Sequence, residues 1–173
     1  MTVNSCTLVQ VTPGADSQFN LNLDSHGNYK FAQFHFHWGS VGGSEHTIRG
    51  RRYALEMHIV NYKAKFNSVA DAVSSNEGDA LAVLGILFEE SKTAMSSDLV
   101  TKLLKGKIVM EGNATMEPID LPKMLQDYAQ LNRFFRYDGS LTTPTCNEVV
   151  VWTVLSEPLP VSHEMASHTS NQC

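Results

Sequence analysis

Cysteine is scarce in this chain, and its spacing argues against several kinds of site. The 173 residues contain three cysteines, Cys6, Cys146 and Cys173, and no Cys-x-x-Cys pair. A thiolate zinc site and a thioredoxin-type redox motif are therefore not expected. On number and spacing alone, reduced thiols are a better interpretation than a disulfide, because disulfides are rare in cytosolic proteins.

Charge is also low, and positive charge is not in excess. Charged residues make up 18% of the chain, and 13 Lys and Arg against 18 Asp and Glu give a net charge of −5. This balance argues against an electrostatic nucleic-acid-binding protein. Together with 42% hydrophobic residues, it predicts a globular protein and not a disordered chain or a coiled coil. The length suits one domain.

Long apolar segments are missing as well. The longest uncharged and weakly polar run of the central region, residues 80–88, has nine residues, whereas a membrane helix needs about 20. No Lys or Arg precedes Lys30, and the same stretch has no continuous apolar segment. We therefore expect no membrane span and no signal peptide in this chain as written.

Strand-like alternation is what the sequence has in abundance. Residues 29–38 divide into two sets that point to opposite faces of a strand: Gln33, His35 and His37, and Phe34, Phe36 and Trp38. The aromatic set is the expected core face. Residues 53–60 repeat the pattern, and residues 80–88 and 149–155 are predicted to be buried strands. Helices are expected to be few, with short ones near 69–73 and 97–105.

Three histidines in these strands are candidate metal ligands. His35 and His37 leave the same strand face, but such a pair alone is equally typical of two partly exposed histidines. His58 follows 21 residues later on a strand of matching pattern, and a hairpin would place it beside them. Three histidines and a water form the open tetrahedral arrangement of catalytic zinc.

Two polar residues occur at the same offset from these histidines. Gln33 lies two positions before His35, and Glu56 lies two positions before His58. Either side chain can accept the second ring N–H of its histidine and fix the tautomer of a metal ligand. An ordinary polar strand face is the alternative interpretation.

With these residues in place, the sequence resembles the α-type carbonic anhydrases. Five segments carry the likeness in order, and the resemblance extends from Tyr29 to Ser162: residues 33–40, 43–47, 56–60, 81–85 and 139–144. It implies a mainly β fold, with a central, mostly antiparallel twisted sheet and a few short peripheral helices. It also implies a zinc lyase that hydrates carbon dioxide reversibly to bicarbonate and a proton.

The resemblance assigns roles residue by residue. It implies that His35, His37 and His58 hold zinc. Thr142 would accept a hydrogen bond from the reacting hydroxide, and Glu45 would accept the hydroxyl proton of Thr142. The residues implied to bind carbon dioxide in an apolar pocket, with a threonine at its rim, are Val60, Val83, Leu141, Val150, Trp152 and Thr143.

The sequence departs from the family at both ends. Residues 1–162 are expected to form a partial carbonic anhydrase domain, incomplete at both ends, and residues 163–173 a polar, disordered tail. Incompleteness predicts exposed sheet edges that favour self-association, and a missing hydrogen-bond acceptor behind His37. Cys146 and the sequon at 113–115 resemble the secreted and membrane-anchored branch, which implies a secreted or cell-surface parent protein.

Two other functions stay open at this point. The chain could be a non-catalytic, carbonic-anhydrase-like binding module, although members of that kind generally lose a metal histidine. It could also be a truncated product without a stable active fold.

Overall fold

Strands form most of the regular secondary structure in the described residues. The computed structural model describes residues 10–12, 19–38, 43–92, 121–128, 131–163 and 166. Its strands are β1 Gln10–Val11, β2 Asn20–Asn22, β3 Asn28–Trp38, β4 Leu55–Lys63, β5 Leu81–Glu90, β6 Phe134–Gly139, β7 Val150–Leu155 and β8 Leu159–Val161. The helices are α1 Val69–Ser74 and α2 Leu121–Tyr128, with a 3-10 helix at Asp24–His26.

All eight of these strands belong to one sheet in the order β1-β3-β4-β5-β7-β6, with β2 also paired to β3 and β8 to β5. β3, β4 and β5 are consecutive antiparallel neighbours, and β6 runs antiparallel to β7. The predicted mainly β fold with a mostly antiparallel sheet is confirmed. The sequence analysis did not identify the two parallel pairings, which β5 makes with β7 and β8.

The main core covers the face of the sheet that carries the aromatic set of β3. Phe34, Phe36 and Trp38 are 1%, 6% and 7% exposed, as the alternation predicts. They pack with Met57 and Ile59 of β4, and α2 covers the cluster through two buried leucines. Burying each large apolar side chain contributes about 1.5–3 kcal/mol, so this face anchors β3 in one register.

The opposite face carries the histidines. β3 and β4 pair with His35 opposite His58 and His37 opposite Glu56, so the expected side-by-side arrangement of the two strands is confirmed. A register irregularity between Phe31 and Gln33 lies just before the first histidine. Because the side chains of a strand alternate, fixing the aromatic face in the core forces these polar side chains onto the other face.

The described helices are short. α1 begins after Ser68, whose hydroxyl accepts a hydrogen bond from the Asp71 N–H at 3.0 Å, which confirms the helical turn predicted at 69–73. The helix predicted at 97–105 and the sequon at 113–115 lie outside the described residues, as does most of the predicted tail. None of the helices in the described ranges is long and apolar enough to cross a membrane.

Candidate metal centre

The three histidines converge on one point above the sheet. Nε2 of His35 lies 3.0 Å from Nε2 of His37, which lies 3.1 Å from Nδ1 of His58. His58 is buried on the central strand β4, and the two histidines of β3 are half-buried. The side-by-side strands thus bring together residues that are 21 positions apart.

The second ring nitrogen of two histidines has a polar partner. Nδ1 of His35 lies 2.8 Å from Oε1 of Gln33, and Nε2 of His58 lies 2.8 Å from Oε1 of Glu56. Since both partners offer an oxygen acceptor, each of these nitrogens carries the proton. The nitrogen of each ring that faces the other histidines therefore presents a lone pair.

The second ring nitrogen of His37, Nδ1, has a more distant partner than those of the other two histidines. This nitrogen lies 3.6 Å from Oε1 of Glu45, which is beyond hydrogen-bond distance. The other oxygen of Glu45 lies 4.0 Å from Nδ1 of His58. Among the residues that the structure describes, no acceptor lies closer to Nδ1 of His37 than Glu45.

A cation fits this donor set. Nε2 of His35 and Nδ1 of His58 each direct a lone pair toward Nε2 of His37. A proton on that nitrogen could donate a hydrogen bond to only one of the two. Burial, then the neighbouring His58 and His37, lowers the pKa of His35 to about 3, and burial also lowers the pKa of His37. Nitrogens bound tetrahedrally to zinc at about 2.0–2.1 Å would be about 3.3 Å apart, close to the observed separations.

A buried carboxylate links the three-histidine cluster to a tyrosine. Oε2 of Glu56 accepts the backbone N–H of His46 at 2.8 Å, and Oε1 accepts the Nδ1–H of the same residue. Nε2 of His46 then accepts the hydroxyl of Tyr137 at 2.6 Å. Burial acts to raise the pKa of Glu56, but hydrogen bonds from His46 and His58 outweigh it and hold the pKa well below its usual range.

The sequence analysis missed His46 and Tyr137 as members of this site. They are 91 positions apart, and Tyr137 lies on β6, two strands beyond β5 in the sheet. Burial, followed by the charges of Glu56 and Glu45, raises the pKa of Tyr137 to about 12, so its hydroxyl stays a donor. Among the described residues, His46, Glu56 and His58 form a second group with metal-ligand atoms close together, but their hydrogen bonds to each other occupy those atoms.

The residues predicted to bind carbon dioxide form one apolar cluster beside the histidines. Four are buried and the fifth is packed against them: Val60, Val83, Val150, Trp152 and Leu141. The ring of Trp152 lies 4.8 Å from the ring of His58, centre to centre, and its Nε1–H donates to the Ser140 carbonyl at 3.1 Å. This apolar cluster thus forms a wall that is continuous with the three histidines.

The loop after β6 is more exposed than its predicted role requires. Thr142 and Thr143 are both exposed. Over the described part of the chain, no hydrogen bond joins Thr142 to Glu45, whose carboxylate faces His37 and His58 instead. Cys146, in the same loop, is an exposed free thiol.

Comparison with known proteins identifies the family of the chain. The family model for the eukaryotic-type carbonic anhydrases matches residues 1–173. The chain is 34% identical to carbonic anhydrase 12 of Homo sapiens over 170 residues, covering 92% of this chain and 47% of that protein. It is 40% identical to carbonic anhydrase 4 of Oryctolagus cuniculus over 149 residues, covering 83% and 47%. The chain thus spans about half the length of these relatives, and it belongs to the eukaryotic-type carbonic anhydrase family.

Proposed function

We propose that this chain binds zinc and catalyses the reversible hydration of carbon dioxide to bicarbonate and a proton. The observation that carries the proposal is the convergence of three imidazole nitrogens, 3.0 and 3.1 Å apart, beside an apolar wall. Membership of the carbonic anhydrase family supports the same reaction.

His35, His37 and His58 are the proposed zinc ligands. Gln33 and Glu56 hold the rings of His35 and His58 by accepting their second N–H, at 2.8 Å in each case. Zinc held by three neutral imidazoles supplies the Lewis acidity that lowers the pKa of water to about 7, for which carbonic anhydrase itself is the standard example.

The apolar wall is the proposed site for carbon dioxide. Carbon dioxide is small and has no net charge or dipole, so it can bind against an apolar surface. Such a surface can lie directly beside the polar histidines. Val60 and Val83 lie on neighbouring strands, and Trp152 closes the wall over His58. Leu141 and Val150 extend the wall, and the exposed Thr143 is proposed to lie at its rim.

Thr142 and Glu45 are proposed to orient the attacking oxygen. Glu45, when ionised, can only accept a hydrogen bond, so a Thr142 hydroxyl that donates to it must accept from its other neighbour. This leaves a single orientation for the nucleophile. Since Thr142 is exposed and not bonded to Glu45 here, the role requires the loop at 140–149 to move toward the histidines.

The competing functions make different predictions. A non-catalytic binding module would keep a stable fold without hydration activity, but the retention of all three histidines does not favour it. A product without a stable active fold would show no cooperative unfolding transition. Metal content, activity and unfolding together separate the three cases.

The experiment measures zinc by mass spectrometry in the purified chain, together with carbon dioxide hydration by stopped flow. We expect one zinc per chain, measurable hydration, and loss of most of both in His58→Ala. His163→Ala is the matched control, since its ring is exposed and bonded to Glu90 at 2.7 Å, away from the centre. Full zinc content in His58→Ala would overturn the ligand assignment, and zinc without hydration would overturn the proposed reaction.

A further inference from the structure

One edge of the sheet ends in a strand with exposed aromatic residues on both faces. β6 pairs with β7 on one side, and no other strand of the described residues pairs with its outer side. Phe134, Phe135 and Tyr137 are 42%, 54% and 43% exposed. An uncovered edge of this kind is a template for another strand.

The direction of the free backbone groups on β6 follows from one hydrogen bond. The Ser156 N–H donates to the Arg133 carbonyl at 2.9 Å, so the residue at 133 is a hydrogen-bonded partner of the residue at 156. In an antiparallel pair, this direction alternates along the strand. The backbone groups of Phe134, Arg136 and Asp138 therefore point outward.

Two of the residues whose backbone groups point outward, Arg136 and Asp138, carry opposite charges. They lie on either side of Tyr137. Arg136 and Asp138 lie two positions apart on the face opposite the histidines, because Arg136 is aligned with Thr153 and Asp138 with Val151. Arg136 donates to the Thr153 hydroxyl at 3.2 Å and lies over the Phe134 ring. Neither charge has an ion-pair partner in the part of the chain that the structure describes.

We propose that β6 is a self-association edge that pairs antiparallel with β6 of a second copy of this chain. A two-fold axis at Tyr137 places Arg136 of each copy opposite Asp138 of the other. Both residues point outward, so they form a hydrogen-bonded pair in the new ladder, while the two Tyr137 residues form a non-hydrogen-bonded pair. Directly opposite unlike charges contribute about 0.2–1 kcal/mol per pair.

Neighbouring registers are less favourable. An axis at Arg136 would set two arginines directly opposite each other, and an axis at Asp138 would do the same with two aspartates. A two-fold axis midway between two residues would place a residue with outward backbone groups opposite one with inward groups. The hydrogen-bond ladder could then not form. Only the register centred on Tyr137 matches both the backbone pattern and the charges. It also lays Phe135 across Gly139 of the other copy, a pairing that covers an edge glycine.

The central test is a charge swap read by sedimentation equilibrium. We expect the chain to dimerise, and Arg136→Asp or Asp138→Arg alone to weaken dimerisation about tenfold, because each change creates two like-charge pairs. The double variant restores unlike charges across the axis and should recover most of the affinity. Lys65→Glu, which reverses a charge exposed elsewhere, is the matched control.

Three outcomes would overturn the proposal. These are a chain that stays monomeric at every concentration, a dimer that is insensitive to the single reversals, and single reversals that the double variant does not rescue. Loss of the Arg136 contact with Thr153 is common to Arg136→Asp and the double variant, so it cannot mimic a rescue. The proposal does not depend on zinc or activity, so a folded chain that lacks hydration activity can still support or contradict it.

Cross-linking tests the register independently. In a background with Cys6, Cys146 and Cys173 changed to serine, Tyr137→Cys places two thiols across the axis with Cα atoms about 4.5 Å apart, within disulfide range. Phe135→Cys is the control, since its two copies would be roughly 13 Å apart along the strands. We expect oxidation to join the first variant at least tenfold faster. Equal rates would exclude this register.

Discussion

The Glu56 carboxylate lies in tight contact with the position that a side chain at Gly85 would take. A methyl group at residue 85 would lie 3.1 Å from Oε1 of Glu56 and 3.4 Å from a methyl carbon of Val154. Gly85 is aligned with His58 on the neighbouring strand. The glycine therefore leaves room for the buried carboxylate that holds the His58 ring.

Gly85→Ala should weaken zinc binding without removing a ligand. The added methyl displaces Glu56 from His58, and disturbing such a partner typically costs 10–100-fold in metal affinity. Competition with a chelator of known affinity measures the change. Gly78→Ala is the control, because nothing lies within 4 Å of its Cβ position. Equal affinities in both variants would show that Glu56 is free to rearrange.

The Tyr137 hydroxyl and the His46 ring should contribute unequally to stability. Tyr137→Phe removes one hydrogen bond, which should lower the free energy of unfolding by about 0.5–1.5 kcal/mol. His46→Ala leaves the buried Glu56 carboxylate with fewer hydrogen-bond donors. It should lower the free energy of unfolding by about 3 kcal/mol or more. Urea unfolding of both variants checks this order. Tyr53→Phe should have little effect, and a reversed order would contradict the hydrogen-bond chain through His46.

Thr142→Ala should separate activity from metal content. Loss of an orienting hydrogen bond in a transition state costs about 2.7–4 kcal/mol, or 100–1000-fold in rate. Zinc content should stay near that of the unmodified chain, because the hydroxyl is not a proposed ligand. Thr143→Ala at the rim should have a smaller effect on the hydration rate. A rate unchanged in Thr142→Ala would mean that the loop keeps its exposed position during turnover.

Asp79 should stabilise the fold only at pH values above the range in which its carboxyl group titrates. Burial acts to raise its pKa, but Lys63 and then His26 hold the pKa below the ordinary value of 3.8. A lowered folded pKa gives stability above the unfolded value, which is lost as the pH falls through the folded one. Asp79→Asn should therefore cost up to about 1 kcal/mol at pH 7.

The difference in the free energy of unfolding between Asp79→Asn and the unmodified chain should shrink as the pH falls below 3.8. Urea unfolding between pH 7 and pH 3 follows it. Glu77→Gln, which removes an exposed pair with Lys65, provides the comparison and should change stability by less than about 0.5 kcal/mol. A constant difference at every pH would show that packing, and not charge, explains the effect of the substitution.

The strands and the histidine cluster were predictable because both follow from alternation along single strands. His35 and His37 share a face by their spacing, and His58 joins them through the antiparallel neighbour. The contact of His46 with Tyr137 depends instead on the parallel pairing of β5 with β7, which then positions β6. Parallel pairing leaves no short-range pattern in a sequence, so neither residue could be assigned to the site from the sequence alone.

The strand order along the chain also bears on how the molecule folds. β3, β4 and β5 are consecutive antiparallel neighbours, whereas β5 and β7 are joined through residues 91–149. Closing a longer loop costs more entropy, and distant pairings form more slowly. We therefore expect the three imidazoles to assemble in an early, local unit, and Trp152 to reach His58 only when β7 docks.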